Sequence, residues 1–156
     1  MNVKVSYYID RLDNLFQLAD GISDDEVKGH FAKYLCIRTS GLIEVFFKTQ
    51  LEDYVTDTSP LPIANYVNNR FKTFTNINSK KIHDLLEVFS PLWAEQYDNK
   101  MTEELTSSLN SVISNRNNIA HGNNDSISMP NVKIYYENVK DIILILDDII
   151  SKRNRK

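Results

Sequence analysis

The sequence predicts an all-α fold, an up-and-down bundle of about five helices. Three observations carry that expectation. Apolar residues recur at steps of three and four along most of the chain, the period of one helix face. Glycine and proline are scarce, four of each, and fall for the most part between the periodic stretches. Polar residues suited to capping stand where those stretches begin.

In the first helix Val5, Ile9, Leu12, Phe16 and Ala19 share a stripe that ends at Gly21, a position suited to a left-handed cap. Ser23 opens the second, with Glu26 three residues on completing a capping box. That long helix carries Val27, Phe31, Tyr34, Leu35, Leu42 and Phe46 before the turn-rich segment Thr56-Asp57-Thr58-Ser59-Pro60. Gly41 in its middle costs roughly 1 kcal/mol of helix propensity against alanine. Either another helix approaches closely there or the glycine is a tolerated surface residue.

A short helical piece over Ile63 to Asn69 leads to a third helix, opened by Asn78 or Ser79 and carrying Ile82, Leu85, Leu86 and Phe89. Ser90-Pro91 restarts or kinks it, with Leu92 to Tyr97 as a separate turn. The fourth helix runs from about Thr102 through Leu105, Leu109, Val112 and Ile113 and stops at Gly122. After a loop of Asn123-Asn124-Asp125-Ser126 and Pro130, the last helix keeps Val132, Tyr136, Val139, Ile143, Leu146 and Ile150 in phase. Its basic tail, Lys152 to Lys156, suits the negative end of a helix dipole or an RNA-contacting arm.

At 156 residues the chain fits one domain over positions 1–156. With 18 basic and 21 acidic residues it lacks the global positive charge of a non-specific nucleic-acid binder, so any RNA is met locally or by an oligomer. A single cysteine, Cys36, excludes an internal disulfide and fits a reducing compartment. Met1 to Asp13 lacks the apolar core of a signal peptide, and the longest apolar run, Ile142 to Leu146, stops at Asp147-Asp148. We therefore expect a soluble, cytoplasmic protein with no membrane partner.

The most informative segment is Arg116-Asn117-Asn118-Ile119-Ala120-His121-Gly122, where the apolar stripe of the fourth helix runs out. Leu105, Leu109, Val112, Arg116 and Ala120 are in line, so the Arg116 guanidinium faces the core or a partner and needs a carboxylate, a phosphate or an open interface around it. Glu44, beside Gly41, is the candidate internal carboxylate. His121 lies five residues on, about 140° around the helix, while Asn117 and His121 share a face, so Asn117 can orient the imidazole or contact a substrate.

Histidine can accept a proton from a ribose 2′-hydroxyl or donate one to a leaving 5′-oxygen. Arginine offers a permanent fork of donors for phosphate and for charge that builds on phosphorus in the transition state. Together they suit metal-free RNA cleavage to a 2′,3′-cyclic phosphate and a 5′-hydroxyl. The alternative is that Arg116 and His121 satisfy the terminal carbonyls of a helix that Gly122 caps.

The remaining candidates read more simply. His30 and His83 stand among charged residues as surface or core-edge groups, Asp24-Asp25-Glu26 as a first helical turn, Asp147-Asp148 as a solvated face, and Cys36 as a small buried hydrophobe. No Cys/His cluster suggests a metal, and no cofactor is expected. In the pairs Tyr7-Tyr8 and Tyr135-Tyr136 one member packs and the other meets solvent, or the rings form a stacking platform.

The Arg116-to-His121 segment, with asparagine after the arginine and alanine before the histidine, resembles the R-x4-6-H signature of HEPN domains. The likeness extends to a long central helix with Arg38-Thr39-Ser40-Gly41-Leu42-Ile43-Glu44, a late motif and one closing helix. It is greatest to stand-alone bacterial HEPN proteins of defence and toxin–antitoxin loci, including the group associated with RiboL-PSP genes. That resemblance implies a homodimeric helical bundle in which two motifs share one cleft as a metal-independent endoribonuclease. It makes Arg116 and His121 catalytic and Asn117 a supporting residue, and it implies an antitoxin or defence-system partner. Nucleotidyltransferase-paired HEPN toxins carry a tyrosine two residues after the histidine; here Asn123 occupies that place, so silencing by nucleotidylation there does not carry over. A non-catalytic nucleotide-binding or adaptor module and a purely structural helical dimer are the competing readings.

Overall fold

The computed structural model describes residues 1–123 and 127–151, and the helices are α1 (Val3–Asp20), α2 (Asp25–Thr58), α3 (Leu61–Phe71), α4 (Ser79–Phe89), α5 (Pro91–Lys100), α6 (Glu103–Ala120) and α7 (Met129–Ser151). Among the described residues there is no strand. The Asn124-Asp125-Ser126 part of the last loop and the basic tail, 152–156, lie outside the described residues.

Local chemistry sets the helix starts. Asn2, Asp24, Asn78 and Thr102 each sit at an N-cap with extended backbone, and their side-chain oxygens accept from Lys4, Val27, Lys81 and Leu105 N–H groups. For α2 the cap is Asp24, one residue beyond the expected Ser23, because a carboxylate both accepts the Val27 N–H at 2.9 Å and meets the positive end of the helix dipole. Gly21 closes α1 in right-handed geometry at φ −82°, donating to Leu18 O, so the expected left-handed cap is absent.

The piece expected over Ile63 to Asn69 and the turn after Pro91 are both complete helices, α3 and α5, which raises the count from about five to seven among the described residues. Their faces are held by aromatic packing rather than by a long apolar stripe. Tyr54 of α2, Phe71 of α3, Phe89 of α4 and Trp93 of α5 meet ring to ring, with centroids 5.1 Å apart for Tyr54–Trp93 and 6.1 Å for Phe71–Phe89. Such pairs add about 0.5–1.5 kcal/mol each beyond area burial.

The long α2 is the axis and touches α1, α3, α6 and α7. The α1 helix runs antiparallel to it, as Asn2 bonds Asp53 and Tyr8 bonds Arg38. Gly41 is where they press together: a Cβ there would lie 2.8 Å from the Tyr8 hydroxyl, so close approach explains the glycine. All seven helices feed one apolar cluster, including Leu12, Phe46, Phe71, Leu86, Trp93, Leu109 and Ile143. Within it α6 rests on α2, where the buried Cys36 thiol points at Val112 O, and on α7, where Asn138 donates to Ser108. Among the described residues no helix is long and apolar enough to cross a membrane.

Candidate functional site

The buried stripe of α6 (Leu109, Val112, Ile113) anchors the helix, and its last two turns emerge from the core half-covered. Arg116 leaves the apolar stripe there. Its NH1 donates to Asn76 Oδ1 at 2.9 Å and to Asn117 Oδ1 at 3.2 Å. These bonds account for both NH1 hydrogens. Among the described residues the Nε and NH2 groups have no partner and Arg116 makes no ion pair. The free edge is the one that matches a phosphate or carboxylate in bidentate fashion.

Asn76 is the residue that sequence reasoning missed. It lies forty positions before Arg116 in the α3–α4 connection, with left-handed backbone at φ 53°. Its N–H donates to Glu44 Oε1 at 3.1 Å, so the carboxylate of α2 reaches the arginine through Asn76 rather than directly. The connection is fastened further along as well: Ser79 N–H donates to Asn110 Oδ1 of α6, and Lys81 Nζ to Thr75 O. The available signal was the run Thr75-Asn76-Ile77-Asn78, since asparagine tolerates left-handed backbone better than most residues. Nothing in that run named its partner.

His121 is the C-cap of α6 and is exposed, and Gly122 follows at φ +67°. Gly122 N–H donates to Ile119 O at 3.2 Å and Asn123 N–H to Asn118 O at 2.9 Å, the paired bonds of a Schellman motif. His121 N–H donates to Asn117 O. Backbone groups therefore satisfy these last carbonyls, and neither the Arg116 nor the His121 side chain is used for it. Among the described residues the imidazole has no hydrogen-bond partner.

The fold thus brings Arg116, Asn117 and, through Asn76, Glu44 into one network, and leaves His121 outside it at the open helix end. Asn117 turns its amide oxygen to Arg116, although spacing placed it on the His121 face.

The other candidates are engaged elsewhere or stand apart. His83 Nδ1 lies 3.0 Å from Asp98 Oδ1 on the surface, and His30 is exposed on α2. Among the described residues no three of His, Cys, Asp and Glu gather as a metal site. Tyr8 and Tyr136 pack while Tyr7 is exposed, and Tyr135 is half-buried. A cavity of about 580 Å³ lies between α1 and α7, away from the motif residues. Part of its polar lining is mutually paired: Tyr136 donates to Asp13 at 2.8 Å, and Lys140 lies 3.3 Å from the same carboxylate. Burial first, then Asp13, pushes the Tyr136 phenol well above the usual tyrosine range. This cavity reads as a structural joint between two helices.

A family model described as RiboL-PSP-HEPN matches residues 6–152, nearly the whole chain. No curated protein and no solved structure matches.

Proposed function

This chain belongs to the RiboL-PSP-HEPN family, and on that footing we propose that it is a metal-independent endoribonuclease acting in the cytoplasm. HEPN domains generally act as RNases or bind nucleotides. The observation that carries the stronger reading is the state of the two motif side chains. Arg116 is oriented by neutral amides and its Nε/NH2 edge has no partner among the described residues, and His121 is exposed, while the helix end is capped by backbone groups.

In the proposed reaction one His121 takes the proton of a ribose 2′-hydroxyl as its oxygen attacks phosphorus. The bond from phosphorus to the 5′-oxygen breaks, and the His121 of a second copy gives that oxygen a proton. Arg116 binds the non-bridging oxygens and the extra charge on them in the transition state, worth roughly 10²–10³ in rate for one well-placed donor. The products are a 2′,3′-cyclic phosphate and a 5′-hydroxyl, and the chemistry needs no redox partner. Two copies answer the separation of His121 from the Arg116 network within one chain, so the working unit is a homodimer. Because free RNA cleavage harms the cell, an antitoxin or defence-system partner restrains it.

The test is cleavage of mixed cellular RNA with EDTA in excess, comparing the parent with His121→Ala. Cleavage by the parent alone, with cyclic phosphate ends, is the expected result. Equal cleavage by both removes His121 from the mechanism. The free edge of Arg116 equally suits a nucleotide-binding module, and RNA binding without turnover by the parent would favour that reading.

A further inference from the structure

We propose that Asn76 is a positioning residue: its neutral amide, fixed by left-handed backbone and by Glu44, aims the Nε/NH2 edge of Arg116 at an RNA phosphate without neutralising the guanidinium. The identity of the anion rests on the endoribonuclease reading above; the clamp itself rests on geometry.

Three features make the clamp. First, the 2.9 Å bond from NH1 to Asn76 Oδ1 and the 3.2 Å bond to Asn117 Oδ1 hold one end of a planar group, so the plane of its other edge is set. Second, both acceptors are uncharged. A carboxylate at the position of the Asn76 amide would form an ion pair and compete with phosphate for the same cation. The nearby carboxylate, Glu44, is instead occupied by the Asn76 N–H at 3.1 Å. Third, the φ of 53° is adopted most readily by glycine, asparagine and aspartate, and of these asparagine alone supplies a neutral side-chain acceptor. Conformation and chemistry together select asparagine.

Two substitutions separate these roles. Asn76→Gly keeps the left-handed backbone and removes the amide, so the fold survives. Asn76→Asp keeps an acceptor and adds a charge. Both are compared with the parent on single-stranded RNA and on the same oligonucleotide with 2′-O-methyl riboses, which lacks the internal nucleophile. For Asn76→Gly the expected result is a Tm within about 4 °C of the parent and kcat lowered by about tenfold with KM changed far less. For Asn76→Asp it is about tenfold weaker binding of the methylated oligonucleotide. Its salt dependence should also be shallower by roughly 0.7 in the log–log slope, since the protein then neutralises one phosphate fewer.

A purely structural role would move Tm and leave the salt slope alone. Parent-like kcat in Asn76→Gly, or a parent-like salt slope in Asn76→Asp, overturns the proposal while the endoribonuclease reading stands. If the parent binds the methylated oligonucleotide but cleaves no RNA, the reaction reading fails, and the changed slope in Asn76→Asp still supports the clamp. A parent that binds no oligonucleotide overturns both.

Discussion

Two half-buried arginines, Arg38 on the α1–α2 face and Arg116 at the end of α6, show how one residue type serves two ends. Arg38 is held on two of its nitrogens by aromatic hydroxyls. Its Nε donates to the Tyr8 hydroxyl and its NH1 to the Tyr34 hydroxyl, both at 3.1 Å, with the two rings 4.9 and 5.9 Å from the guanidinium carbon. Tyr8 O–H in turn donates to Arg38 O, which ties α1 to α2. Among the described residues Arg116 is held through NH1 alone, and its Nε/NH2 edge has no partner. Arg38 is therefore a staple between helices, and Arg116 is held with one edge turned away from its partners, the edge proposed above to meet phosphate. The difference lies in which nitrogens are occupied, and burial alone would not reveal it.

Removing each guanidinium is the strongest way to break that comparison. Arg116→Ala is expected to lower RNA cleavage by about 10²–10³ while changing stability by less than about 1 kcal/mol, because the acceptors it leaves behind are half-exposed and can meet water. Single-turnover cleavage and denaturant unfolding on the same sample check both halves. A large loss of stability would make Arg116 a second staple.

Much of the fold could be read from periodicity. The extent of α2, the stripe of α6 and the phase of α7 follow from apolar spacing and stand where expected, although Val27 and Tyr34 of the expected α2 stripe are exposed. The helices that periodicity under-described, α3 and α5, are short and bury few side chains, and ring packing around Tyr54 and Trp93 accounts for their order. Caps were legible to within a residue, since Ser23 and Asp24 compete for the same role and geometry chooses between them. At the candidate site the motif itself was legible, because it is contiguous. Its support was not: the Asn76 contact joins residues forty apart through a loop whose path no local pattern encodes. Glu44 was within reach by proximity to Gly41, but the intervening amide was invisible in one dimension.

The scaffold beneath Asn76 offers a sharper test on the Arg116 side. Tyr97 of α5 is buried and shares a 3.0 Å hydrogen bond with Ser79, the first residue of α4 and three positions from Asn76. Burial pushes its phenol up to about 12, with the Ser79 bond opposing in part. An unfolded tyrosine ionises near pH 10. The folded state thus holds this proton more tightly, so the contribution is complete below pH 10 and is lost as pH rises towards 12, on the order of 2 kcal/mol. Tyr97→Phe should remove that component, so that the parent loses stability relative to the variant over this window. An unchanged difference from pH 9 to 12 would mean that Tyr97 ionises normally.

On the other side of the comparison, Arg38→Ala should cost about 1–2 kcal/mol of stability, since two hydrogen bonds to a charged but partly solvated group are lost. Cleavage by the folded variant should match the parent. Urea unfolding and RNA cleavage together decide this, and lost activity in a stable variant would mean that Arg38 also meets substrate.

The smallest effect is the most specific to the staple. Gly41→Ala brings a methyl to within 2.8 Å of the Tyr8 hydroxyl, while the next atom of that ring, Cζ, would stand at a comfortable 3.8 Å. Alanine gains about 1 kcal/mol of helix propensity over glycine, but displacing the hydroxyl breaks its bonds to Arg38 on both sides. The substitution should therefore destabilise the parent by about 1 kcal/mol, the broken bonds outweighing the propensity. In a Tyr8→Phe background the obstructing oxygen is gone and the same change should stabilise the protein. A double-mutant cycle by denaturant unfolding reads the reversal directly. If Gly41→Ala has one sign in both backgrounds, the glycine serves the helix backbone, and the Tyr8–Arg38 contact is not what selects it.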